Sequence, residues 1–459
     1  PRPPAEAGAI LADAERAAAA LSAERANLFA AIHWAAGRGS RGDALGRYSW
    51  FLVDALRGFL ARRSLTTDWL RAAEAALGAA RAAGDRTAEA EMLHSTGQAW
   101  WRAGAVDRAV AYLERSVEAF AAADWPEGQI AVLNNLAGSS YWQGRVERAV
   151  ELFTKGLRLA ERHGLTAVTA TMHGNLGAAY EGLDLRQAER HLEASCRLIA
   201  QQEPTRQAAV IFGNLASVRR NTGDYDSALR EAEKAIAGLS DGDEDPERWP
   251  VLNDIARIHH ARGDLSRARA TAAGVLERSQ WAGDVRVEAD ARVILAGTLL
   301  AEDPARAREH LDRALASARD AGYRNGTAEA LIGLSAHALS RGDPGEARRH
   351  ASEALDVIGD AHRVLRAQAL TALAEAERAG GDLEAAAGHA QQAVDLHHAT
   401  GARPGEARAA RVLGGIARDR GAPVAAEAQL RRAYELYTAM SLPEAAEVAQ
   451  TLATDVTPD

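Results

Sequence analysis

The feature that most constrains this chain is a short pattern that returns about every forty residues. At Asn135-Leu136-Ala137 it begins with an amide. Leu follows at +1, a small residue at +2, Gly144 at +9 and Ala149 at +14. The same frame holds Ser95-Thr96-Gly97 with Gly104 and Ala109, and Asn175-Leu176-Gly177. It continues through Asn214-Leu215-Ala216 with Gly223 and Ala228, then Asp254-Ile255-Ala256 with Gly263 and Ala268. Gly333-Leu334-Ser335, Ala372-Leu373-Ala374 and Val412-Leu413-Gly414 extend it, each with its Gly and Ala. Two copies lack one residue at the turn (Asp184 with Ala188, Asp303 with Ala307), and the first is worn around Leu56, Ser64 and Trp69, giving ten copies.

Each copy reads as two helices. A Gly at +9 closes the first by taking the left-handed conformation. Small residues at +2 and +14 let the two backbones approach, and Leu at +1 fills the space between them. The chain is 47% hydrophobic but 5% aromatic, so Ala and Leu carry the apolar content and suit closely packed helices. One hairpin cannot bury its apolar face alone, so neighbours must stack. The expected fold is all-α, a right-handed superhelical solenoid of about ten hairpins over residues 44–442. Residues 1–43 are expected as a helical linker, with two helices over 5–37, and residues 443–459 as a capping helix and tail. Breaks fall at Gly84-Asp85, Trp125-Pro126, Gly164, Pro204, Gly283-Asp284, Gly322, Gly359 and Gly401, and an acidic loop at Asp241–Pro246.

Several function classes are disfavoured. A net charge of −9 gives no global field for nucleic-acid phosphates. The single Cys196 excludes an intramolecular disulfide and a thiolate zinc site, and its helical setting beside Leu198 and Ile199 points to an inert thiol. No run of about eighteen apolar residues and no signal peptide occur, so a cytoplasmic protein away from membranes is expected. The opening Pro-Arg-Pro-Pro, without Met, suggests a piece of a longer polypeptide. Gly37 to Gly42 fits G-x-G-x-x-G but follows a helical pattern rather than a strand. Arg-Gly-Asp at 262–264 and 341–343 is the repeat's own turn, so the third copy at 41–43 is no adhesion signal either. Asp241, Asp243 and Asp245 imitate a calcium loop, but Pro246 and Leu252 stand where Gly and Glu are required. His259-His260 and His397-His398 diverge on a helix. No catalytic constellation emerges, so no enzyme, metal or cofactor is expected.

Leu-Gly, a later Tyr, then Gly and Ala across a hairpin resembles the tetratricopeptide repeat, best seen at Asn175-Leu176-Gly177 with Tyr180. The forty-residue period is similar to the long-helix variety of bacterial regulators. Residues 23–35 (AERANLFAAIHWA) resemble the segment joining an NB-ARC-type ATPase module to its repeats, and Thr67 through Asp85 resembles how such arrays begin. The resemblance is to regulators of the Streptomyces antibiotic regulatory protein type and to maltose-activator-like relatives. It implies a DNA-binding module and a nucleotide-binding switch upstream; neither motif occurs in these residues.

In such arrays the first helices line the concave face and position zero points into the groove. Ser95, Asn135, Asn175, Asn214 and Asp254 occupy it in five consecutive copies, followed by Ile294, Gly333, Ala372 and Val412. Gln98, Trp101, Arg102, Trp142, Ser217, Asn221 and Arg257 lie near on the same helices. An amide ladder suits an extended peptide, since each side chain donates to a C=O and accepts from an N–H. The same amides could instead tie neighbouring helices together. Trp100 and Tyr180, at +5, are expected in the core, and Trp101 in the groove. Asn135, Asn175 and Asn214 are expected to grasp the main chain, with Asp254 and Arg257 closing a charged end. The expected function is a peptide- or protein-binding sensor that controls the upstream modules of a transcriptional regulator. The alternative is an assembly scaffold that forms homo-oligomers.

Overall fold

The computed structural model describes residues 14–63, 65–200, 206–239 and 245–455. Ser64, Pro204, the acidic residues 241–244, the tail 456–459 and the first residues of the expected linker lie outside the described residues. Twenty-three α-helices and no strand occur among the described residues. The chain divides into two compact units, residues 1–172 and 173–459.

Helices Ala14–Ala23 and Arg25–Gly39 lead into the repeats. Helix pairs follow in order: Arg47–Arg62 with Thr66–Ala83, Arg86–Arg102 with Val106–Ala122, and Pro126–Trp142 with Val146–Arg162. Next come Thr166–Tyr180 with Leu185–Ile199, Arg206–Thr222 with Tyr225–Ala237, and Arg248–Ala261 with Leu265–Ala282. Val285–Leu299 with Pro304–Asp320, Arg324–Ser340 with Pro344–Ile358, Arg363–Ala379 with Leu383–Thr400, and Arg403–Asp419 with Pro423–Ala439 complete ten hairpins, and Glu444–Asp455 caps the last.

The turns follow from two residue types. Every +9 Gly is left-handed, for example Gly104 at φ 75°, Gly144 at 76° and Gly381 at 85°. An Asp commonly follows and opens the next helix. Asp224, Asp264, Asp343 and Asp382 each accept a hydrogen bond from the backbone N–H three residues on, and Asp303 does the same at a turn that has no Gly. A Gly-Asp pair therefore stops one helix and starts another. This accounts for all three Arg-Gly-Asp runs, since Gly42 is left-handed too and Asp43 caps Leu45. Asp343→Ala should cost about 1 kcal/mol, read as a lower melting temperature with faster amide exchange at the start of Pro344–Ile358. An unchanged exchange rate there would remove the cap from the account.

Inside each hairpin the +14 Ala is sealed: Ala109, Ala149, Ala228, Ala268, Ala347 and Ala386 are all 0% exposed. A Gly at +2 makes room for a leucine facing it on the second helix. Gly97, Gly177 and Gly414 face Leu113, Leu192 and Leu430, and a Cβ on these glycines would lie 2.8, 2.4 and 2.8 Å from the leucine side chain. In three copies with Ala at +2 the facing residue is Ala as well (Ala216/Ala232, Ala256/Ala272 and Ala374/Ala390), each pair sharing a core cluster, whereas the same register sets Phe153 opposite Ala137 and Leu311 opposite Ala296.

In the first unit, Ile32 and Ala36 from Arg25–Gly39 enter the same core as Trp50, Val53, Trp69 and Leu77. Gly39 packs against Gly46 and Ala79, where a Cβ would come within 2.9 Å of both. The second glycine of the apparent dinucleotide fingerprint is thus a helix-packing contact.

The second unit closes on itself. The Val364 amide donates to Gly182 O at 3.2 Å. Arg186 donates to His398 O at 2.6 Å and Arg403 to Thr222 O at 2.8 Å. Gly223, at φ 83°, lies against Met440 and Pro404. Turns of the fourth and fifth hairpins therefore form a seam with the ninth, the tenth and the strap before the cap.

Candidate ligand-binding site

In each unit the first helices of several hairpins line a cavity, and the two units do so differently. In the first unit, Gln98, Trp101, Arg102, Asn135 and Gly138 line a cavity of about 310 Å3, with Trp69 and Leu113 in its wall. Ser95 is withdrawn from it: it is fully buried, and its hydroxyl accepts from Trp69 Nε1 at 2.8 Å. The Asn135 amide bonds the ring of His94 at 2.7 Å. Burial, and next the Arg57 guanidinium, hold His94 down at about 3, so the ring is neutral. Asn135 thus ties the second and third hairpins together and still faces the cavity. The side chain of Trp142 lies outside the described residues. Trp100 is half-buried, with the Arg108 guanidinium 4.7 Å above its ring.

In the second unit, Asn175 and Asn214 are both half-buried. Asn175 is engaged by the protein, whereas the Asn214 side chain makes no hydrogen bond among the described residues. Along its stripe, Ser217 donates to Glu181 at 2.6 Å and Asn221 donates to the same oxygen at 3.4 Å. Asp254 and Arg257 do not pair with each other. Arg220 donates to Asp254 at 2.9 Å, and Arg257 to Glu329 at 2.6 Å. Tyr180 stacks on His191, their ring centroids 5.6 Å apart. Cys196 is half-buried, and burial lifts its thiol to about 11, which suits an unreactive sulfur.

Sequence reasoning missed a second inward stripe one helical turn before position zero. It carries Asp290, Glu329, Gln368 and Arg408 in four consecutive copies, at the repeat spacing. That regularity was the available signal. With the apolar position-zero residue Ile294 and the blank Gly333, three of these four frame a cavity of about 420 Å3, lined by Arg220, Arg257, Glu329, Gln368 and Arg408 beside Val293, Leu300, Leu311 and Ile332. The chamber has an apolar floor and a charged rim.

Its electrostatics are those of matched pairs. Burial works against the Arg257 charge, but the Glu329, Asp290 and Asp254 carboxylates outweigh it and hold the guanidinium protonated. Glu375 does the same for Arg408, with two bonds of 2.7 and 3.1 Å. Two further acids accept no guanidinium hydrogen bond among the described residues. Burial and the Glu329 charge push Asp290 up to about 7, its Oδ1 accepting from the Tyr323 hydroxyl at 3.3 Å. Glu181 is raised by burial in spite of the Ser217 bond. Such a surface can hold polar groups in fixed directions and bury an apolar one. Among the described residues, no group of three or more potential ligands could hold a metal ion, and no helix is long and apolar enough to cross a membrane.

Residues 128–201 match the family model of the tetratricopeptide repeat. No curated protein matches the sequence. Among solved structures, the chain is similar to the apo form of the quorum sensor NprR from B. thuringiensis. The identity is 15% and the TM-score 0.53, over 76% of this chain and 98% of that one. It is also similar to a Rap protein complexed with competence and sporulation factor, with 15% identity and a TM-score of 0.49, over 71% of this chain and 97% of that one. The fold of this chain is that of a tetratricopeptide-type solenoid.

Proposed function

We propose that the second unit is the ligand chamber of a sensor, and that it holds an extended peptide. The observation that carries this reading is one cavity with an apolar floor, framed by Arg257 and by three residues of the second stripe, Glu329, Gln368 and Arg408. Gln368 offers an amide with no hydrogen bond of its own among the described residues to a main chain, the Arg–carboxylate pairs offer directed donors and acceptors, and the floor offers room for an apolar side chain. The likeness to a quorum sensor is compatible with it. The segment at residues 23–35 supports placing the chamber in a transcriptional regulator, where it would bias an upstream nucleotide-binding switch and DNA-binding module. A peptide can do so only by binding one arrangement of the repeats more tightly than another.

The test is affinity selection of a random heptapeptide library on the purified chain, followed by titration of the enriched sequences. Gln368→Ala should weaken binding roughly tenfold, the loss of one buried main-chain hydrogen bond. Its melting temperature should be unchanged, because the amide has no partner to lose. Unaltered affinity, or no enriched peptide at all, would sink the proposal.

A further inference from the structure

A second, smaller cavity of about 130 Å3 lies on the seam of the second unit. Arg220, Arg257 and Gln368 line both it and the 420 Å3 chamber, so the two adjoin along a shared wall. The remaining polar lining of the small cavity is Asn221, Tyr225 and His397. His397 is 1% exposed, and neither of its ring nitrogens has a hydrogen-bond partner. Buried polar atoms are almost always paired, so an orphaned ring on a cavity wall marks a place for an absent group.

Charge decides the nature of that group. The small cavity has no carboxylate in its wall, which disfavours a cation. Its two guanidiniums are already matched, Arg220 to Asp254 and Arg257 to Glu329, so an anion would find no unmatched positive charge. What the wall offers is N–H and O–H donors from Asn221, Gln368 and Tyr225, and a neutral imidazole able both to give and to take a proton bond.

We infer that the two cavities are one site, in which the smaller takes an uncharged hydrogen-bonding head of the amide type and the larger takes the ligand's apolar body. The small cavity has walls on both sides of the seam, from residues 220–261 and from residues 364–405, so a head seated there bridges them. The inference rests on reading the chamber as a ligand site. It adds that the ligand's inner end is neutral.

The experiment is a titration of the full chain with hexanamide, hexanoate and hexylammonium, followed by calorimetry and ligand-detected NMR, with the enriched heptapeptides titrated alongside. Hexanamide should bind at least tenfold more tightly than either charged analogue. His397→Phe should abolish that preference while keeping the ring's volume, and Gln368→Leu should weaken hexanamide several-fold if the first variant does not fold. Tighter binding of hexanoate or hexylammonium, or hexanamide binding indifferent to both substitutions, overturns the inference. Peptide binding with no hexanamide binding overturns it alone. Binding by neither overturns the chamber reading as well.

Discussion

Gly177→Ala should destabilise the second unit, and Leu192→Ala should remove most of that effect. A Cβ at residue 177 would lie 2.4 Å from Leu192 Cγ, and Leu192 is 0% exposed, so the leucine cannot swing away. Overpacking of this kind costs about 1–3 kcal/mol. The gain in helix propensity from Gly to Ala, about 1 kcal/mol, recovers only part of it. Leu192→Ala alone should cost about 2–5 kcal/mol through the void it leaves. The double variant recreates the Ala/Ala arrangement of Ala216/Ala232 and Ala374/Ala390, so the two changes should couple favourably by about 1–3 kcal/mol. Denaturation of the four proteins, with exchange protection followed in Leu185–Ile199, measures the cycle. Strict additivity would mean that the match of Gly177 to Leu192 is incidental.

Much of this architecture was legible because the repeat constrains backbone geometry directly. A left-handed turn needs Gly, as at Gly104 and Gly381, and a sealed crossing needs Ala, as at Ala149 and Ala228. Both demands recur in register and survive divergence elsewhere. The inner face was legible in part. Position zero lines a cavity where Asn135, Ile294 and Gly333 sit, but burial takes Ser95 out of reach, and that depends on Trp69 from the preceding hairpin. The ion pairs were not legible, because Arg257 finds Glu329 across 72 residues and Arg220 finds Asp254 across 34. Sequence spacing along one helix says which residues share a face; it does not say which face closes over them. The seam is further out of reach, since Arg186 meets His398 across 212 positions. His397 looked like half of a poor metal pair, and only its enclosure shows it to be an unpaired polar group.

Asp290→Asn should stabilise the protein at alkaline pH and leave it unchanged in acid. Burial is the main reason that the Asp290 carboxyl resists ionisation, with the Glu329 charge next, against the opposing pull of Arg257. Its folded value of about 7 stands above the ordinary 3.8. Below about pH 4 the carboxyl is protonated whether the chain is folded or not, and the native state keeps that stabilisation in full. As pH rises towards 7 the unfolded chain ionises freely while the folded one resists, so stability falls across that window and levels off above it. Asparagine removes the titration and retains an oxygen for the Tyr323 hydroxyl, and Arg257 keeps its bond to Glu329. The variant should therefore gain on the order of 1–2 kcal/mol at pH 8, with the difference from the parent protein closing towards pH 4. Melting curves at pH 4, 6 and 8 give the comparison. A variant less stable than its parent at pH 8 would show that Asp290 serves Arg257 as a charged partner, and that the chamber's carboxylates work as one ionised network rather than as matched pairs with acids to spare.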